Sequence, residues 1–301
     1  MSADNNNNAL DTSCCASCGI AEIDEVKLKE CDGCDLVRYC SDECREENKS
    51  KHEEACKKRA TELRDELLFK QPESTHRGDC PICMIPLPLD VKKSVIHSCC
   101  SKSICDGCCY ANQMREMEMR LRHACPFCRE PMPSSEDGCS KQNMKRVEMN
   151  DPVALCQEGV KQSKKGDYRK AFEYFTKAAK LGDVEAHHHL SVLNRAGNGV
   201  DKDEGKAIHH TEEAAIGGHP KARYNLGVYE WVRNNNTGRA VKHWIIAATQ
   251  GEDDSMKWLV KAFRMGLVVE EDLVVAFSAH KAAVDASKSP QRRAAEAAKG
   301  C

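Results

Sequence analysis

Fifteen cysteines and one histidine in the first half of the chain have the spacing of metal ligands. They fall into two sets of eight, and Cys-x2-Cys pairs recur in both. Two thiolates separated by two residues can bind one tetrahedral zinc ion, and four such ligands close a structural site with no open position for chemistry. The spacing therefore predicts four Zn²⁺ sites, two in each set. The first set is Cys15, Cys18, Cys31, Cys34, Cys40, Cys44, His52 and Cys56, and the second is Cys80, Cys83, Cys99, Cys100, Cys105, Cys108, Cys125 and Cys128.

The distribution of cysteine favours metal over disulfides. Of the 20 cysteines, 17 precede residue 129. No apolar run approaches the roughly 20 residues that cross a bilayer, and residues 1–8 lack the charged-then-apolar order of a secretory signal. We therefore expect a reducing compartment, cytoplasmic or nuclear, in which clustered cysteine binds metal. A disulfide scaffold is the less favoured alternative.

The charge balance argues against nucleic-acid binding. The formal net charge is -2 with the cysteines counted as neutral. Because zinc ligands bind as thiolates, four zinc ions and fifteen thiolates would bring the net charge near -9. Non-specific binding to nucleic acid requires clustered lysine and arginine, so we expect protein partners instead.

The first set of ligands resembles the MYND finger. The match covers all eight ligands, including the Tyr39-Cys40 pair and the closing His52-x3-Cys56. A segment this short cannot bury enough apolar surface to fold alone, so metal must supply the missing stability. We predict a helix between Ser41 and Lys57 with Ser41 as its N-cap, and Tyr39 in the small core. By resemblance, one ion would be bound by Cys15, Cys18, Cys40 and Cys44, and the other by Cys31, Cys34, His52 and Cys56.

The resemblance also implies a peptide partner, because MYND fingers generally bind short proline-containing peptides. That family usually has Gln after the sixth ligand and Trp a few residues later, and both help to hold the peptide. This chain has Arg45 and Lys49 at those positions. A peptide groove and a purely structural role therefore both stay open. No stretch resembles the SET catalytic core that accompanies MYND fingers in methyltransferases.

The second set of ligands resembles a RING finger bracketed by residues 80–83 and 125–128. The usual RING has Cys-x-His before its fifth ligand, but the residue three before Cys105 is Lys102, which cannot bind zinc when protonated. Cys99 is preferred as the third ligand, as in the all-cysteine variant, because thiolates favour zinc; His97 is the alternative. By resemblance, one ion would be bound by Cys80, Cys83, Cys105 and Cys108, and the other by Cys99, Cys100, Cys125 and Cys128.

The RING resemblance implies a ubiquitin-protein ligase. Ile82, Pro126 and Arg129 stand where such ligases contact the ubiquitin-conjugating enzyme, and Arg129 also at the place that contacts donor ubiquitin. A RING ligase has no nucleophile and no catalytic residue of its own, and it accelerates transfer by orienting the charged enzyme. We expect the groove wall to be a helix between Tyr110 and Leu121. The competing class is a non-enzymatic scaffold in which Ile82 fills the small core.

The second half of the chain carries a repeat of about 35 residues. An alanine recurs at Ala171, Ala207, Ala240 and Ala276, and a glycine follows the first three copies at Gly182, Gly218 and Gly251. Small residues let paired helices approach closely, and glycine ends a helix in the left-handed conformation. The pattern resembles the Sel-1-like repeat of the tetratricopeptide superfamily, with matching elements at residues 197–200 and 224–227. Such arrays bind protein partners on a concave face.

Aromatic and histidine residues of this half are predicted to be structural. Trp231, Trp244 and Trp258 are expected in the core or between repeats. The histidines at 187–189 and 209–210 look like a metal tract, but neighbours on a helix point different ways. We therefore expect ordinary exposed histidines there.

The predicted architecture is mainly α, with two small cross-braced zinc-finger modules followed by an all-α helical-repeat solenoid. We expect a RING-type ligase that docks a conjugating enzyme carrying ubiquitin and recruits a protein substrate through the solenoid, with the MYND finger as a second recruiting surface. The predicted boundaries are a disordered N-terminus 1–14, a MYND finger 15–56, a helical linker 57–79, a RING finger 80–129, a linker 130–150, Sel-1-like repeats 151–290 and a C-terminal tail 291–301.

Overall fold

The computed structural model describes residues 14–299 as parts of two compact units, one ending at Lys70 and the other beginning at Gln71. These residues form twelve α-helices and two small antiparallel sheets, so the chain is mainly α as predicted. Of the segment 1–14, which we predicted to be disordered, residues 1–13 lie outside the described residues. None of the described helices is long and apolar enough to cross a bilayer.

The first unit consists of a hairpin and one long helix. Strand β1 (Lys29–Glu30) pairs antiparallel with β2 (Arg38–Tyr39), and helix α1 spans Asp42–Phe69. Ser41 caps α1 as predicted, because its side chain accepts a hydrogen bond from the backbone N–H of Cys44 at 3.3 Å. Helix α1 continues well beyond Lys57, since neither glycine nor proline interrupts residues 42–69. The helical part of the predicted linker 57–79 is therefore the second half of α1.

Tyr39 lies at the centre of a small core in this unit. The ring packs with Leu28 and Cys15, all three almost fully buried, and the Tyr39 hydroxyl accepts a hydrogen bond from Asn48 of α1 at 3.3 Å. The core has few members, which agrees with the expectation that the ligands must supply part of the stability of the finger.

The second finger is the amino-terminal part of the second unit. Strand β3 (Ser94–His97) pairs antiparallel with β4 (Lys102–Cys105), and Ser94 lies opposite Cys105. Helix α2 spans Asp106–Glu118 and begins directly after β4. It therefore starts a full turn before the predicted Tyr110, because extended backbone at Cys105 changes to helix without a connecting loop.

A stack of helices follows the second finger, and each helix packs on the next one in the chain. Its first helix, α3, lies inside the stretch 130–150 that we predicted to be a linker, and it packs on α4. The helices are α3 (Glu136–Glu148), α4 (Pro152–Lys164), α5 (Tyr168–Lys180), α6 (Val184–Ala196), α7 (Glu204–Ile216), α8 (Pro220–Val232), α9 (Thr237–Thr249), α10 (Asp253–Arg264) and α11 (Glu270–Ala286).

The repeating alanines and glycines have the roles predicted from the sequence: the alanines lie where helices pack closely, and the glycines end helices. Ala171, Ala207, Ala240 and Ala276 have no exposed surface, and they lie on α5, α7, α9 and α11 in turn. The glycines that end these helices, residues 182, 218 and 251, have φ of 87°, 81° and 89°, in the left-handed region. An N-cap side chain starts the next helix each time: Asp183, His219 or Glu252 accepts from the backbone three residues later.

The tryptophans pack between repeats, as predicted. Trp244 is fully buried, and its ring lies 5.6 Å from that of Trp231 and 4.9 Å from that of Trp258, between ring centroids. Gly227 makes room for this cluster, because a Cβ at residue 227 would lie 2.3 Å from the Trp244 Nε1 atom.

Two further segments join the second finger to the solenoid. Residues 71–79, which we call the strap, lie against the loops that connect the solenoid helices. The His76 backbone N–H donates to the Gly218 carbonyl at 2.9 Å. Helix α12 (Pro290–Lys299) leaves the solenoid and packs on α2 of the finger. The predicted C-terminal tail 291–301 is therefore helical up to Lys299. Long-range packing stabilises this helix, and no repeat in the sequence signals that packing.

Candidate metal centres and partner surfaces

The structure brings the sixteen proposed ligands together as four groups of four. In each group one ligand atom from every residue lies within 4.8 Å of the others. Both fingers are cross-braced, since each group takes ligand pairs from separated parts of the segment. The groups are Cys15, Cys18, Cys40 and Cys44; Cys31, Cys34, His52 and Cys56; Cys80, Cys83, Cys105 and Cys108; and Cys99, Cys100, Cys125 and Cys128.

The distances within the groups fit a tetrahedral zinc ion. A Zn–S bond of about 2.3 Å implies sulfur–sulfur distances of about 3.8 Å in a tetrahedron. The first finger has Sγ–Sγ distances of 3.5 Å between Cys18 and Cys40 and 3.7 Å between Cys31 and Cys56. The second finger has 3.8 Å between Cys83 and Cys105 and 3.9 Å between Cys100 and Cys125. All described cysteines are free of disulfides, so every group can bind metal through thiolates.

In each group the pKa of one thiol lies below its usual value, and these thiols are Cys15, Cys31, Cys80 and Cys128. Hydrogen bonding from Cys105 lowers the pKa of the Cys80 thiol to about 4. In the first finger, backbone hydrogen bonds from Cys18 and Cys40 overcome the effect of burial and lower the pKa of Cys15 to about 6. Hydrogen bonding to Cys18 and Cys44 raises the pKa of Cys40 to about 12. A divalent ion supplies the positive charge that the remaining thiols need to ionise.

Cys99, rather than His97, completes the fourth group. The Cys99 Sγ atom lies 3.4 Å from Cys128 Sγ. His97 is buried at the end of β3, and its Nε2 atom lies 3.6 Å from the Sγ atom of Cys109, outside the group. Cys14 and Cys109 also lie outside the four groups.

The two Cys-Pro-x-Cys motifs of the second finger, residues 80–83 and 125–128, form similar turns, which we call the knuckles. In the first, the Met84 N–H donates to the Cys80 carbonyl at 2.9 Å; in the second, the Arg129 N–H donates to the Cys125 carbonyl at 2.9 Å. The residue before the last cysteine points outward in both, since Ile82 is 41% exposed and Phe127 is 44% exposed. Phe127 was not singled out from the sequence, although its position in the second motif matches that of Ile82 in the first.

Pro126 and Arg129 belong to the second knuckle. Pro126 is half-buried between Cys125 and Phe127. Arg129 has a left-handed φ of 64°, and its guanidinium donates to the Oδ1 atom of Asn112 on α2 at 2.9 Å. The Asn112 amide donates in turn to Glu116 at 2.7 Å. Arg129 is therefore exposed to solvent and at the same time connects the second knuckle to α2.

The positions that would hold a peptide on the first finger are occupied by ion-paired cations. Arg45 lies 2.5 Å from Asp32 and 3.4 Å from Asp42. Lys49 pairs with Glu46 one turn earlier on α1 at 3.1 Å. These side chains provide neither the carboxamide nor the indole that holds a peptide in the family resembled.

A histidine cluster lies where the strap meets the solenoid. It corrects the expectation of ordinary exposed histidines for residues 187–189, whereas His209 is exposed as expected. His187, His188 and His189 are half-buried on α6. His76 of the strap joins them: its ring stacks on that of His219 with centroids 4.2 Å apart, and the His188 ring lies 4.4 Å from His219. No spacing in the sequence indicates this cluster, because His76 is more than a hundred residues from the others.

The histidine cluster surrounds one carboxylate. Glu185 Oε2 lies 2.9 Å from His76 Nε2 and 3.5 Å from His219 Nε2. The three groups are close enough to bind a metal, but the His76 and His219 rings are almost parallel, at 10°, so their lone pairs do not converge on one ion. His219 Nδ1 also accepts the Ala222 N–H at 3.1 Å, which leaves the proton on Nε2. His76 and His219 therefore both face the Glu185 carboxylate through Nε2, and the group lies beside a cavity of about 440 Å³.

Comparison with known families identifies two of the three modules. Residues 15–56 match the family model described as MYND finger, and residues 154–183, 184–219 and 220–252 match the Sel1 repeat. The MYND finger and the Sel1 repeats predicted from the sequence are thus confirmed. A MYND finger binds zinc, and its groups of ligands in this chain have the matching geometry.

Individual relatives match parts of the chain. Protein SHC1 of Saccharomyces cerevisiae is 36% identical over 63 residues, which is 21% of this chain and only 12% of that protein. A Sel1 repeat protein from Oxalobacter formigenes has 23% identity and a TM-score of 0.44, covering 58% of this chain and 71% of that one. The immunity protein PA5088 from Pseudomonas aeruginosa has 20% identity and a TM-score of 0.41, covering 52% and 64%.

Proposed function

We propose that this chain is a RING-type ubiquitin-protein ligase built on an interaction scaffold. The MYND finger and Sel1 repeats are protein-interaction modules, and the finer assignment concerns the second finger. In this proposal the second finger binds two zinc ions, making four in the chain, and docks a ubiquitin-conjugating enzyme. The protein works in the cytoplasm or nucleus, where its thiols stay reduced.

The observation that carries the proposal is the pair of matching knuckles. Each presents an apolar side chain to solvent, Ile82 or Phe127, on a backbone held by the same hydrogen-bond pattern. Exposed apolar groups on a rigid support are typical of partner-binding surfaces. Arg129 is held by Asn112 at the edge of the second knuckle, where a guanidinium can donate to two partners at once.

The mechanism requires no nucleophile from this chain. The knuckles would hold the charged conjugating enzyme, and the Arg129 guanidinium would restrict the orientation of its ubiquitin, so that the thioester faces an incoming lysine. The Sel1 repeats would hold the substrate, since stacked repeats present an extended binding face. In this proposal the MYND finger lacks the usual peptide-holding side chains, since Arg45 and Lys49 are ion-paired at those positions, so the Sel1 repeats are the main substrate-binding surface.

Self-ubiquitination with a panel of conjugating enzymes tests this proposal. We expect Ile82→Ala to reduce chain formation at least tenfold, because hot-spot side chains contribute about 2 kcal/mol or more to binding. Val95→Ala is the matched control, since Val95 is an exposed aliphatic residue on β3 of the same finger; it should retain full activity. Zinc content should be equal in all three proteins. Absence of transfer with every enzyme of the panel would favour the non-enzymatic scaffold.

A further inference from the structure

Helix α12 packs against the second finger beside the group formed by Cys80, Cys83, Cys105 and Cys108. Gly107, which lies between Cys105 and Cys108, has no room for a side chain: a Cβ there would lie 2.7 Å from the backbone nitrogen of Arg292. Two ion pairs hold the other end of the helix. Lys299 lies 2.6 Å from Asp106, and Glu296 lies 2.7 Å from Lys93.

Arg292 is the one arginine of α12 that is buried; Arg293 beside it is exposed. Only 6% of Arg292 is accessible to solvent. Its guanidinium donates to the carbonyls of Pro86 at 2.7 Å and Ile85 at 3.0 Å, which lie on the loop that follows Cys83. The same guanidinium donates to the Sγ atom of Cys83 at 3.7 Å.

A buried cation beside this group has a chemical consequence. One Zn²⁺ and four thiolates carry a net charge of -2, and burial makes that charge costly unless it is compensated. Donors to the liganding atoms stabilise metal sites, and losing one typically lowers metal affinity about 10- to 100-fold. Among residues 14–299, the sulfurs of the other three groups accept no hydrogen bond from an arginine or lysine side chain.

We propose that Arg292 is the outer cation of the zinc site formed by Cys80, Cys83, Cys105 and Cys108, and that α12 is a structural part of the second finger. The guanidinium neutralises part of the thiolate charge and fixes the loop after Cys83. Retention of this one zinc ion therefore depends on a helix about 200 residues away in sequence. This inference rests on the proposed zinc binding of the second finger and is independent of ligase activity.

The test measures zinc release from the full-length protein to a chromophoric chelator. The wild-type chain should release four equivalents. Arg292→Gln should release one equivalent about 10- to 100-fold faster than wild type, with the other three unchanged. Arg293→Gln is the matched control, because it removes the same charge from the exposed neighbour, and it should behave as wild type. Arg292→Lys keeps a cation but loses the planar fork, so its rate should be intermediate.

Alkylation of the cysteines, followed by peptide mass spectrometry, locates the effect. In Arg292→Gln the thiols of Cys83 and Cys105 should be modified faster, while those of the Cys99 group keep their wild-type rates. A chain that ends at Ser289 lacks α12 altogether, and it should show the same pattern of faster modification. This second variant tests the inference even if the Arg292→Gln substitution alters the folding of α12. Equal release from the Arg292 and Arg293 variants, or uniform acceleration across all four sites, would overturn the inference. Fewer than four equivalents in the wild-type chain would instead contradict zinc binding by the second finger.

Discussion

The roles of several single residues in this chain follow from the packing space and the charged groups around them. Gly227 has no side chain because the Trp244 indole occupies that volume. His188 and His219 are neutral donors or stacking partners because burial disfavours their charged forms. Arg292 is charged although buried, because carbonyl and sulfur acceptors surround its guanidinium. Each of these positions therefore has a defined response to substitution or to pH.

Substitution of Gly227 by Ala should destabilise the solenoid by about 1–3 kcal/mol, because overpacking a rigid aromatic cluster forces neighbours to shift. The added Cβ would lie 2.3 Å from Trp244 Nε1. Thermal unfolding followed by circular dichroism measures the change. Gly205→Ala in α7 is the control, since the nearest atom to its Cβ lies 3.4 Å away, and it should be neutral or slightly stabilising. Equal effects of the two substitutions would show that the Trp cluster can adapt.

The histidine cluster should make the second unit less stable as the pH falls. Burial lowers the pKa of His188 to about 3, and burial likewise lowers the pKa of His219 and His189. Unfolded histidines titrate near pH 6.5, so below that pH the unfolded state binds more protons and stability decreases. The loss should approach about 1.4 kcal/mol per pH unit for each histidine that stays neutral.

The titratable groups that face His188 are Glu185 and His189 of its own helix, His76 of the strap and His219 before α8. Denaturant unfolding between pH 7.5 and 5.5 measures the slope in the full chain with zinc in excess. His188→Gln should make the slope shallower than in the wild type, and zinc loss would affect both proteins alike. An unchanged slope in this variant would show that His188 titrates over the same pH range in the folded and the unfolded chain.

Secondary-structure elements differ in how far the sequence could specify them. The repeat period predicted α5, α7, α9 and α11, because small residues must recur wherever two helices approach closely. Ligand spacing likewise predicted two metal sites in each finger, and the resemblance to MYND and RING fingers implied which ligands share an ion. Helix α12 and the strap carry no such period, since each is stabilised by a single set of contacts with distant residues, such as those of Arg292 with residues 83–86. Helix α3 was missed because its sequence is polar and contains glycine.

At the scale of the whole molecule, metal and packing stabilise different parts of the chain. The two fingers have small cores, whereas the solenoid buries alanines, tryptophans and leucines in extended clusters. Helices α1 and α2 contain proposed zinc ligands, and α12 packs on α2. Helices α3 to α11 contain none of the sixteen ligands. The stability of the solenoid should therefore be largely independent of metal.

Removal of zinc by a strong chelator should unfold the fingers and leave the solenoid folded. Hydrogen–deuterium exchange resolved by peptide is the measurement, at neutral pH and under reducing conditions. We expect amide protection to disappear from residues 15–56 and 80–128, and also from α12, because its partner surface on α2 is lost. Protection in α5 to α10 should persist, and Arg292→Gln should lose protection in α12 at a lower chelator concentration than Arg293→Gln. Simultaneous loss of protection along the whole chain would mean that the fingers and the solenoid fold as one cooperative structure.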